Sequence, residues 1–393
     1  KARIASLTSA MLMRGSTSHT RQQIRDELDR RKAELNIWGW GGGLMADLSV
    51  DRPNLEGAVR LLAEILRNPS FSASELELLR PEELLRLEDS KKEPYQVAST
   101  ALQRHLNPWP PDDVRYVATP DEEIAQVKVI RQEQLVEFHR EFYGASAGEC
   151  TVIGDFDAAA MPGLLTQLLG DWRSERPYRR LVSPCPQVPP LDERLEAPDK
   201  EGAVFMAGLN MKLRDDDPDH PAMVLGDYMT GGGFLSSRLA TRIRQKDGLS
   251  YGVGSYYWAS DWDSSGGFGA YAICAPQNVD RLETAFREEL DKILKDGFTA
   301  EEITQAKSGW LQSRRVSRSQ DNELARLLNG RAERGRTLEW DARMDQLVAD
   351  LTPAQILSAM RRHLDAAKIS MVAVGDFAKV KQEEPKPVLS ENS

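Results

Sequence analysis

Hydrophobic positions along the chain follow two different periods, and this mixture predicts both amphipathic helices and half-buried strands. Helical spacing runs through residues 131–143 and 352–364. Residues 35–50, 203–213 and 249–274 are instead rich in apolar, aromatic, glycine and alternating small residues, as antiparallel strands are. We therefore expect an α+β fold.

The chain also repeats itself. Residues 151–156 and 371–377 are short apolar stretches that end in Gly-Asp-Phe, and their glycines, Gly154 and Gly375, lie 221 residues apart. An amphipathic helix precedes each stretch at nearly the same offset. A self-similarity of this kind predicts a tandem duplication of two similar domains, each an antiparallel sheet covered by helices, with each Gly-Asp-Phe closing a strand.

The repeat sets the expected domain borders. We place the first domain at residues 1–177, a linker at 178–197, the second domain at 198–380 and a disordered, polar tail at 381–393. The linker lacks periodicity and is rich in proline. Its prolines are Pro184, Pro186, Pro189 and Pro190.

The two repeats differ at their starts. The apolar stretch 203–213 opens the second domain, and the repeat offset puts its counterpart before Lys1. We therefore expect the first domain to lack its leading strand, with an exposed sheet edge unless another segment or chain covers it. Together with a start that is not methionine, this favours a fragment of a longer protein.

Charge and composition exclude several function classes. A net charge of −10 and a pI near 5.3 provide no basic face for nucleic acid. No apolar run approaches the roughly 20 residues that span a bilayer. The cysteines, Cys150, Cys185 and Cys274, are odd in number and widely spaced, so they indicate neither a disulfide framework nor a cysteine metal site.

The histidines do not predict a zinc site within this chain. They are His19, His105, His139, His220 and His363, and no His-x-x-Glu-His or His-x-x-x-His occurs. Catalytic zinc generally needs two or three such ligands together. The acidic run 215–217 lacks calcium-loop spacing, so a solvated turn explains it. The glycines 231–233 lack a phosphate-loop ending, so tight turns or close backbone packing explain them.

Residues 231–255 are the strongest candidate for chemistry. Helical spacing over 234–246 predicts a helix, Gly248 suits a left-handed residue after its end, and a strand is expected from residue 249. Arg244 would leave the last helical turn and Tyr251 would begin the strand. Two structural alternatives stay open here, an arginine that complements the helix dipole and a tyrosine whose ring packs.

This segment resembles the Arg/Tyr segment of the pitrilysin and insulinase family of zinc metallopeptidases, and the resemblance extends over nearly the whole chain. The family builds its enzymes from four α+β domains of the pitrilysin-type, LuxS-like fold, arranged as two halves. Zinc lies in the first half. The resemblance implies that Arg244 and Tyr251 of the second half contribute to substrate binding and catalysis.

The chain departs from the zinc half where metal ligands would stand. Residues 10–16 resemble the segment that ends the zinc motif, which puts Ser6, Ser9 and Ala10 at the His, Glu and His positions. The later glutamate ligand would fall near Glu88, which we interpret as surface charge. We therefore expect this chain to bind no metal or cofactor and, alone, to cleave no peptides.

The resemblance implies a partner and a substrate class. Zinc is expected in a zinc-motif half, either upstream in the same polypeptide or in a separate subunit, and peptides are the expected substrates. Two other functions stay open, a non-catalytic scaffold and a chaperone-like peptide-binding subunit. The resemblance suggests a bacterial protein, and the periplasm is a hypothesis for its compartment.

Overall fold

The computed structural model describes residues 2–40 and 42–383. These residues form two compact units, each assembled from three separate segments. Unit 1 comprises residues 2–89, 110–181 and 318–337, and unit 2 comprises residues 90–109, 182–317 and 338–383. The interleaved segments were not part of the prediction of two successive domains, whose borders at 177 and 198 stay a prediction.

Helices and strands occur mostly in separate runs along the chain, as in an α+β protein. The helices are α1 (Ala2–Leu12), α2 (Arg21–Arg30), α3 (Leu55–Arg67), α4 (Ala73–Ser90), α5 (Pro94–Leu106), α6 (Pro120–Val129), α7 (Gln132–Phe142), α8 (Met161–Leu169), α9 (His220–Asp227), α10 (Val279–Asp296), α11 (Ala300–Arg318), α12 (Asp321–Glu333), α13 (Leu338–Asp350), α14 (Pro353–His363) and α15 (Phe377–Glu383). The strands are β1 (Glu34–Trp40), β2 (Gly43–Ser49), β3 (Asp192–Glu196), β4 (Ala203–Met211), β5 (Ser250–Ala259), β6 (Gly266–Cys274) and β7 (Ser370–Gly375).

Unit 1 is mainly helical, and its described sheet is the antiparallel hairpin β1–β2. Helix α1 packs against β1 and α7, and its buried Leu7 and Met11 join one core with Ile24, Ile65 and Leu135. The prediction of a strand over 151–156 is wrong, because these residues have no ladder partner in the described chain. An apolar stretch without a neighbouring strand cannot pair its backbone groups as a sheet does.

Unit 2 is built on a five-stranded sheet with the order β3-β7-β4-β6-β5. Strand β4 pairs antiparallel with β6 and β7, and β5 pairs antiparallel with β6 at the sheet edge. The predicted linker over 178–197 is not wholly irregular, because β3 lies inside it and pairs parallel with β7. A strand can form there because none of the four prolines falls within Asp192–Glu196.

The two faces of the unit 2 sheet carry different layers. One face forms the large core with α9, α10 and α14, where Phe205, Phe286 and Ile356 are buried. On the other face, α5 packs Leu102 against Val204 of the sheet. The α+β fold class is thereby confirmed, as are strands within residues 35–50, 203–213 and 249–274.

Two further features concern the C-terminal end of the chain and the polarity of its helices. The predicted tail begins at 381, but α15 continues to Glu383, and the rest of the predicted tail lies outside the described residues. In the described part of the chain, every helix is too short or too polar to cross a membrane.

Candidate functional site

The Arg/Tyr segment, which we define as residues 228–252, follows α9 in unit 2 through a series of irregular turns. A π-helical turn over Tyr228–Gly232 leads into a 3-10 turn over Phe234–Ser236 and then a π-helix over Ala240–Lys246. The sequence predicted one helix over 234–246, and the structure winds the end of that helix more widely. Such wide turns are rare and occur frequently at functional sites.

The π-helix ends on a left-handed glycine, as the sequence predicted. Gly248 has a φ of 61°, and the Leu249 N–H reaches back over it to donate to the Ile243 carbonyl at 2.9 Å. A residue with a Cβ is strained at this φ, whereas glycine is not. The reversal at Gly248 therefore connects the helix that carries Arg244 to the strand that carries Tyr251 within a few residues.

Arg238 anchors the start of this helix to two neighbouring helices. Its guanidinium donates to the Glu302 carboxylate at 2.8 Å and to Glu289 at 3.1 Å, and it lies over the Phe298 ring. Burial alone would raise the pKa of Glu302, but hydrogen bonds from Arg238 and Thr299 outweigh it and lower that pKa to about 2. Arg238 is thus a structural ion-pair residue.

Arg242 is also occupied by carboxylates, whereas Arg244 is not. The Arg242 guanidinium lies 2.9 Å from Glu288 and 2.8 Å from Asp247. Arg244 is exposed, and no hydrogen bond or ion pair links it to any residue that the structure describes. The geometry therefore separates Arg244 from the other arginines of the segment as the guanidinium that is free to bind another molecule.

Tyr251 is exposed because of a β-bulge. Ser250 pairs with Cys274 and Gly252 pairs with Ile273, so Tyr251 is an additional residue between two rungs of the β5–β6 ladder. Its side chain is 77% exposed and has no partner among the described residues. Bulges re-aim side chains and are common next to active sites. The sequence predicted a strand here but not the bulge.

The Ser250 hydroxyl holds the bulge together. It lies 2.7 Å from both the Gly252 and the Ile273 carbonyl oxygens, to which it can donate, and it accepts from the Gly252 N–H at 3.2 Å. Ser250 itself is only 8% exposed. The hydroxyl thus binds backbone groups next to the interrupted ladder. Leaving such groups unpaired inside a protein costs stability.

The carboxylate of Asp227 connects the end of α9 to β5 and so supports the Arg/Tyr segment. The Ser255 hydroxyl of β5 donates to the Asp227 carboxylate at 2.6 Å, and burial raises the pKa of Asp227 to about 6. Gly231 allows the close approach, because a Cβ there would lie 2.3 Å from the Ser255 backbone nitrogen. The glycines over 231–233 therefore serve packing, as the sequence indicated.

In unit 1, the serines aligned with the zinc motif are engaged within their own helix or buried. In α1, the Ser9 hydroxyl donates to the Ser6 carbonyl at 2.9 Å, and the Ser6 hydroxyl donates to the Arg3 carbonyl at 3.2 Å. Ser9 is buried against β1, where a Cβ on Gly39 would come within 2.8 Å of the Ser9 Cβ. Ala10 has no ligand atom. These residues do not fit a zinc ion.

Glu88 lies exposed on α4, in agreement with its interpretation as surface charge. Each histidine has a hydrogen-bond partner within its own unit. The partners are Glu64 for His19, the Pro189 carbonyl for His105, the Leu66 carbonyl for His139, Tyr257 for His220 and Asp219 for His363.

One group of possible metal ligands occurs in the described residues, namely Asp217, Asp219 and His363. Their ligand atoms lie within 4.8 Å of one another. The Asp219 carboxylate already pairs with Arg362 and with His363. An ion-pair cluster accounts for this arrangement.

The sequence singled out Arg244 and Tyr251 as candidates but not Arg238, Ser250 and Asp227, whose contacts support the segment. A half-buried arginine between two glutamates leaves no local signal, because its partners lie more than 50 residues away. The bulge could have been suspected from the glycines that flank Tyr251 in the Gly-Leu-Ser-Tyr-Gly sequence.

Comparison with known proteins finds similar sequences and folds. Residues 130–309 match the peptidase M16 inactive domain. A zinc protease of Streptomyces coelicolor is 33% identical over 166 residues, which are 41% of this chain and 34% of that protein. One of Mycobacterium leprae is 26% identical over 76% of this chain and 65% of its own length. The chain thus spans less than two thirds of both relatives.

A third relative, a zinc protease of Mycobacterium bovis, is 24% identical over 93% of this chain and 82% of that protein. Solved structures share the fold. A peptidase M16 inactive domain from Pseudomonas fluorescens superposes with a TM-score of 0.82 at 23% identity, covering 95% of this chain and 88% of that one. The periplasmic protease PqqL of Escherichia coli gives 0.73 at 13% identity, with 94% and 40% covered.

The matched residues include the Arg/Tyr segment. The description of the matched domain as inactive agrees with the absence of a His-x-x-Glu-His motif from the sequence. Residues 130–309 thus match the peptidase M16 inactive domain, the relatives are named zinc proteases, the fold is that of a solved M16 inactive domain, and the sequence lacks the zinc-binding motif.

Proposed function

We propose that this chain is the zinc-free half of a zinc endopeptidase and that it supplies Arg244 and Tyr251 to a zinc site held by another half. One observation carries the proposal. In a segment where Arg238 and Arg242 are held by carboxylates, Arg244 and Tyr251 are exposed without partners among the described residues. Exposed, unpaired polar side chains on a braced support are available for a substrate.

Tyr251 can stabilise the negative charge that forms when a peptide carbonyl is attacked. Its phenol O–H donates one hydrogen bond, and a donor placed at the developing oxyanion lowers the barrier by about 3–4 kcal/mol. The exposed ring can reach a peptide without disturbing the sheet core. The bulge that presents it belongs to the regular β5–β6 ladder, so its position is defined by the sheet.

Arg244 can hold the substrate. A guanidinium offers several N–H donors in one plane and binds a carbonyl or carboxylate by two of them. Arg238 and Arg242 brace the helix on either side through Glu302, Glu289 and Glu288. A braced helix orients Arg244 before a peptide arrives, which reduces the entropy lost on binding.

Zinc must come from elsewhere in this proposal. The hydroxyls of Ser6 and Ser9 are used within α1, and Ala10 offers no ligand. The partner is a zinc-motif half, either joined to this chain or separate, and the substrates are peptides. Within this chain, the residues act by binding and by donating hydrogen bonds.

The proposal is tested by reconstitution. A quenched fluorescent peptide library is incubated with this chain alone, with the zinc-motif half alone and with the verified complex, each with and without a chelator. We expect cleavage only in the complex, and we expect the chelator to abolish it. Cleavage by the zinc-motif half alone at the full rate would contradict the proposal.

A second candidate function is a non-catalytic scaffold or peptide-binding subunit, and the description of the matched domain as inactive favours it. A verified complex that cleaves no peptide in the library would support this candidate. Peptide affinity measured for this chain without a partner distinguishes the scaffold from the peptide-binding subunit, since only the peptide-binding subunit binds peptides by itself.

A further inference from the structure

We infer that Ser250 is a positioning residue, which acts on the reaction by fixing the bulge that presents Tyr251. This inference rests on the proposed function, because it concerns how that function's tyrosine is oriented. Tyr251 is the additional residue of the bulge, opposite the single step from Cys274 to Ile273 on β6.

The bulge interrupts the alternation of side chains between the two faces of β5. Ser250 pairs with the buried Cys274, and Val253 pairs with the buried Ala272, so both of these β5 residues face the core layer. A regular strand would place one residue between two that face the same side, but here Tyr251 and Gly252 both lie between them. Tyr251 is thus released from the alternation of the strand and points to solvent.

Such a bulge leaves backbone groups unpaired unless something else binds them. The Ser250 hydroxyl provides this binding, with carbonyl oxygens of Gly252 and Ile273 both at 2.7 Å and the Gly252 N–H at 3.2 Å. These contacts lie on both sides of Tyr251 and across to β6. A hydroxyl has one hydrogen and two lone pairs, so it donates to one of these carbonyl oxygens at a time while it accepts from the Gly252 N–H.

The position of Ser250 excludes a direct role with substrate. It is 8% exposed, whereas Tyr251 beside it is 77% exposed. All of its described hydrogen bonds go to backbone groups of the bulge. Its influence must therefore pass through Tyr251, whose phenol oxygen has to lie within hydrogen-bonding distance of the developing oxyanion.

The test compares Ser250→Ala with Ser250→Thr and with Ser370→Ala in the verified complex with the zinc-motif half. Threonine keeps the hydroxyl and suits a strand. Ser370 is a matched control, because it is a buried serine of the same sheet whose hydroxyl accepts from the Leu191 N–H, away from the bulge. The measurements are kcat, KM and hydrogen exchange at the Gly252 amide.

We expect Ser250→Ala to lower kcat about tenfold or more with KM within about twofold, since a small misplacement of a reacting group costs up to about 100-fold. Exchange at the Gly252 amide rises in this variant. Ser250→Thr and Ser370→Ala keep kcat within about twofold of the parent protein. Ser250→Ala combined with Tyr251→Phe is no slower than Tyr251→Phe alone.

The outcomes separate this inference from the proposed function. Parent-like kcat in Ser250→Ala, together with slow turnover in Tyr251→Phe, overturns the inference and leaves the proposed function standing. Parent-like kcat in Tyr251→Phe overturns both. An equal loss of kcat in Ser370→Ala and Ser250→Ala also overturns the inference, because the loss would then reflect general destabilisation of the sheet.

Discussion

Helix α1 of unit 1 and the Arg/Tyr segment of unit 2 treat their polar side chains in opposite ways. In α1, the hydroxyls of Ser6 and Ser9 bond to backbone carbonyls of their own helix. In the Arg/Tyr segment, Arg244 and Tyr251 are exposed and make no contact of this kind with described residues. The serine hydroxyls are therefore satisfied within their own helix, whereas Arg244 and Tyr251 keep their hydrogen-bond donors available to another molecule.

The two regions also differ in regularity. Helix α1 is a continuous α-helix, whereas the Arg/Tyr segment contains two π-helical turns, a left-handed glycine and a β-bulge. Irregular backbone costs stability, and it persists where the rest of the structure supports it. Here the support comes from the Arg238 ion pairs and from Asp227 with Ser255.

The largest expected effect removes the phenol of Tyr251. Tyr251→Phe deletes a single oxygen atom from an exposed side chain, so we expect stability to be unchanged and kcat of the complex to fall about 100- to 1000-fold. Steady-state peptide hydrolysis measures this change. The control is Tyr256→Phe, an exposed tyrosine of the same strand, for which an equal loss of kcat would contradict a special role of Tyr251.

The next effect concerns Asp227, the carboxylate that supports the Arg/Tyr segment. Because the pKa of Asp227 is about 6 in the folded chain and 3.8 is its ordinary value, the folded state binds more protons between these values. The free energy of unfolding should therefore fall as pH rises from 4 to 6 and then level off. The shift corresponds to about 3 kcal/mol.

Asp227→Asn removes this titration while keeping an acceptor for the Ser255 hydroxyl. We expect the variant to gain up to about 3 kcal/mol relative to the parent between pH 4 and pH 8. Urea unfolding at the two pH values, compared as a difference between the two proteins, measures the gain. A difference that does not change with pH would show that Asp227 is not the titrating group.

A smaller effect is expected when a larger side chain replaces Ser9 in unit 1. Ser9→His places an imidazole where Ser9 is buried against Gly39, so we expect a loss of about 2 kcal/mol in unfolding free energy from overpacking. Ser6→His is the control, because Ser6 is only half-buried and should cost less. Equal losses measured by urea unfolding would mean that packing at Gly39 is not the cause.

The smallest effect separates shape from charge at Arg244. Arg244→Lys keeps the charge but loses the planar pair of donors, and we expect kcat/KM to fall about tenfold. Lys246→Arg is the matched control, since Lys246 is an exposed cation of the same helix and should change kcat/KM by less than about twofold. Equal changes in the two variants would indicate that only net charge matters.

Much of the fold could be predicted because its signals are local. The left-handed Gly248, the capping box of Thr352 with Gln355 and the strands β4 to β6 follow from residues adjacent in sequence. The strand expected over 151–156 failed because strand formation depends on a partner, which that stretch lacks in the described chain.

The candidate residues could be named from the sequence, but the contacts that support them could not. Arg244 and Tyr251 are candidates because the family resemblance attaches to a contiguous segment, and their role stays a prediction. The contacts of Arg238 with Glu289 and Glu302 join residues 51 and 64 positions apart, and no periodicity encodes such pairs. The register shift at Tyr251 depends on the pairing of β5 with β6, which the sequence does not specify.

Helix α5 has a consequence for how this protein is made. It belongs to unit 2, where the Asn210 side-chain amide donates to the Leu106 carbonyl across 104 residues of sequence. During synthesis, α5 leaves the ribosome well before β4 and must wait for the sheet on which it packs. Unit 2 therefore cannot be obtained by a single truncation of the gene, and its segments are all present only after synthesis has passed residue 338.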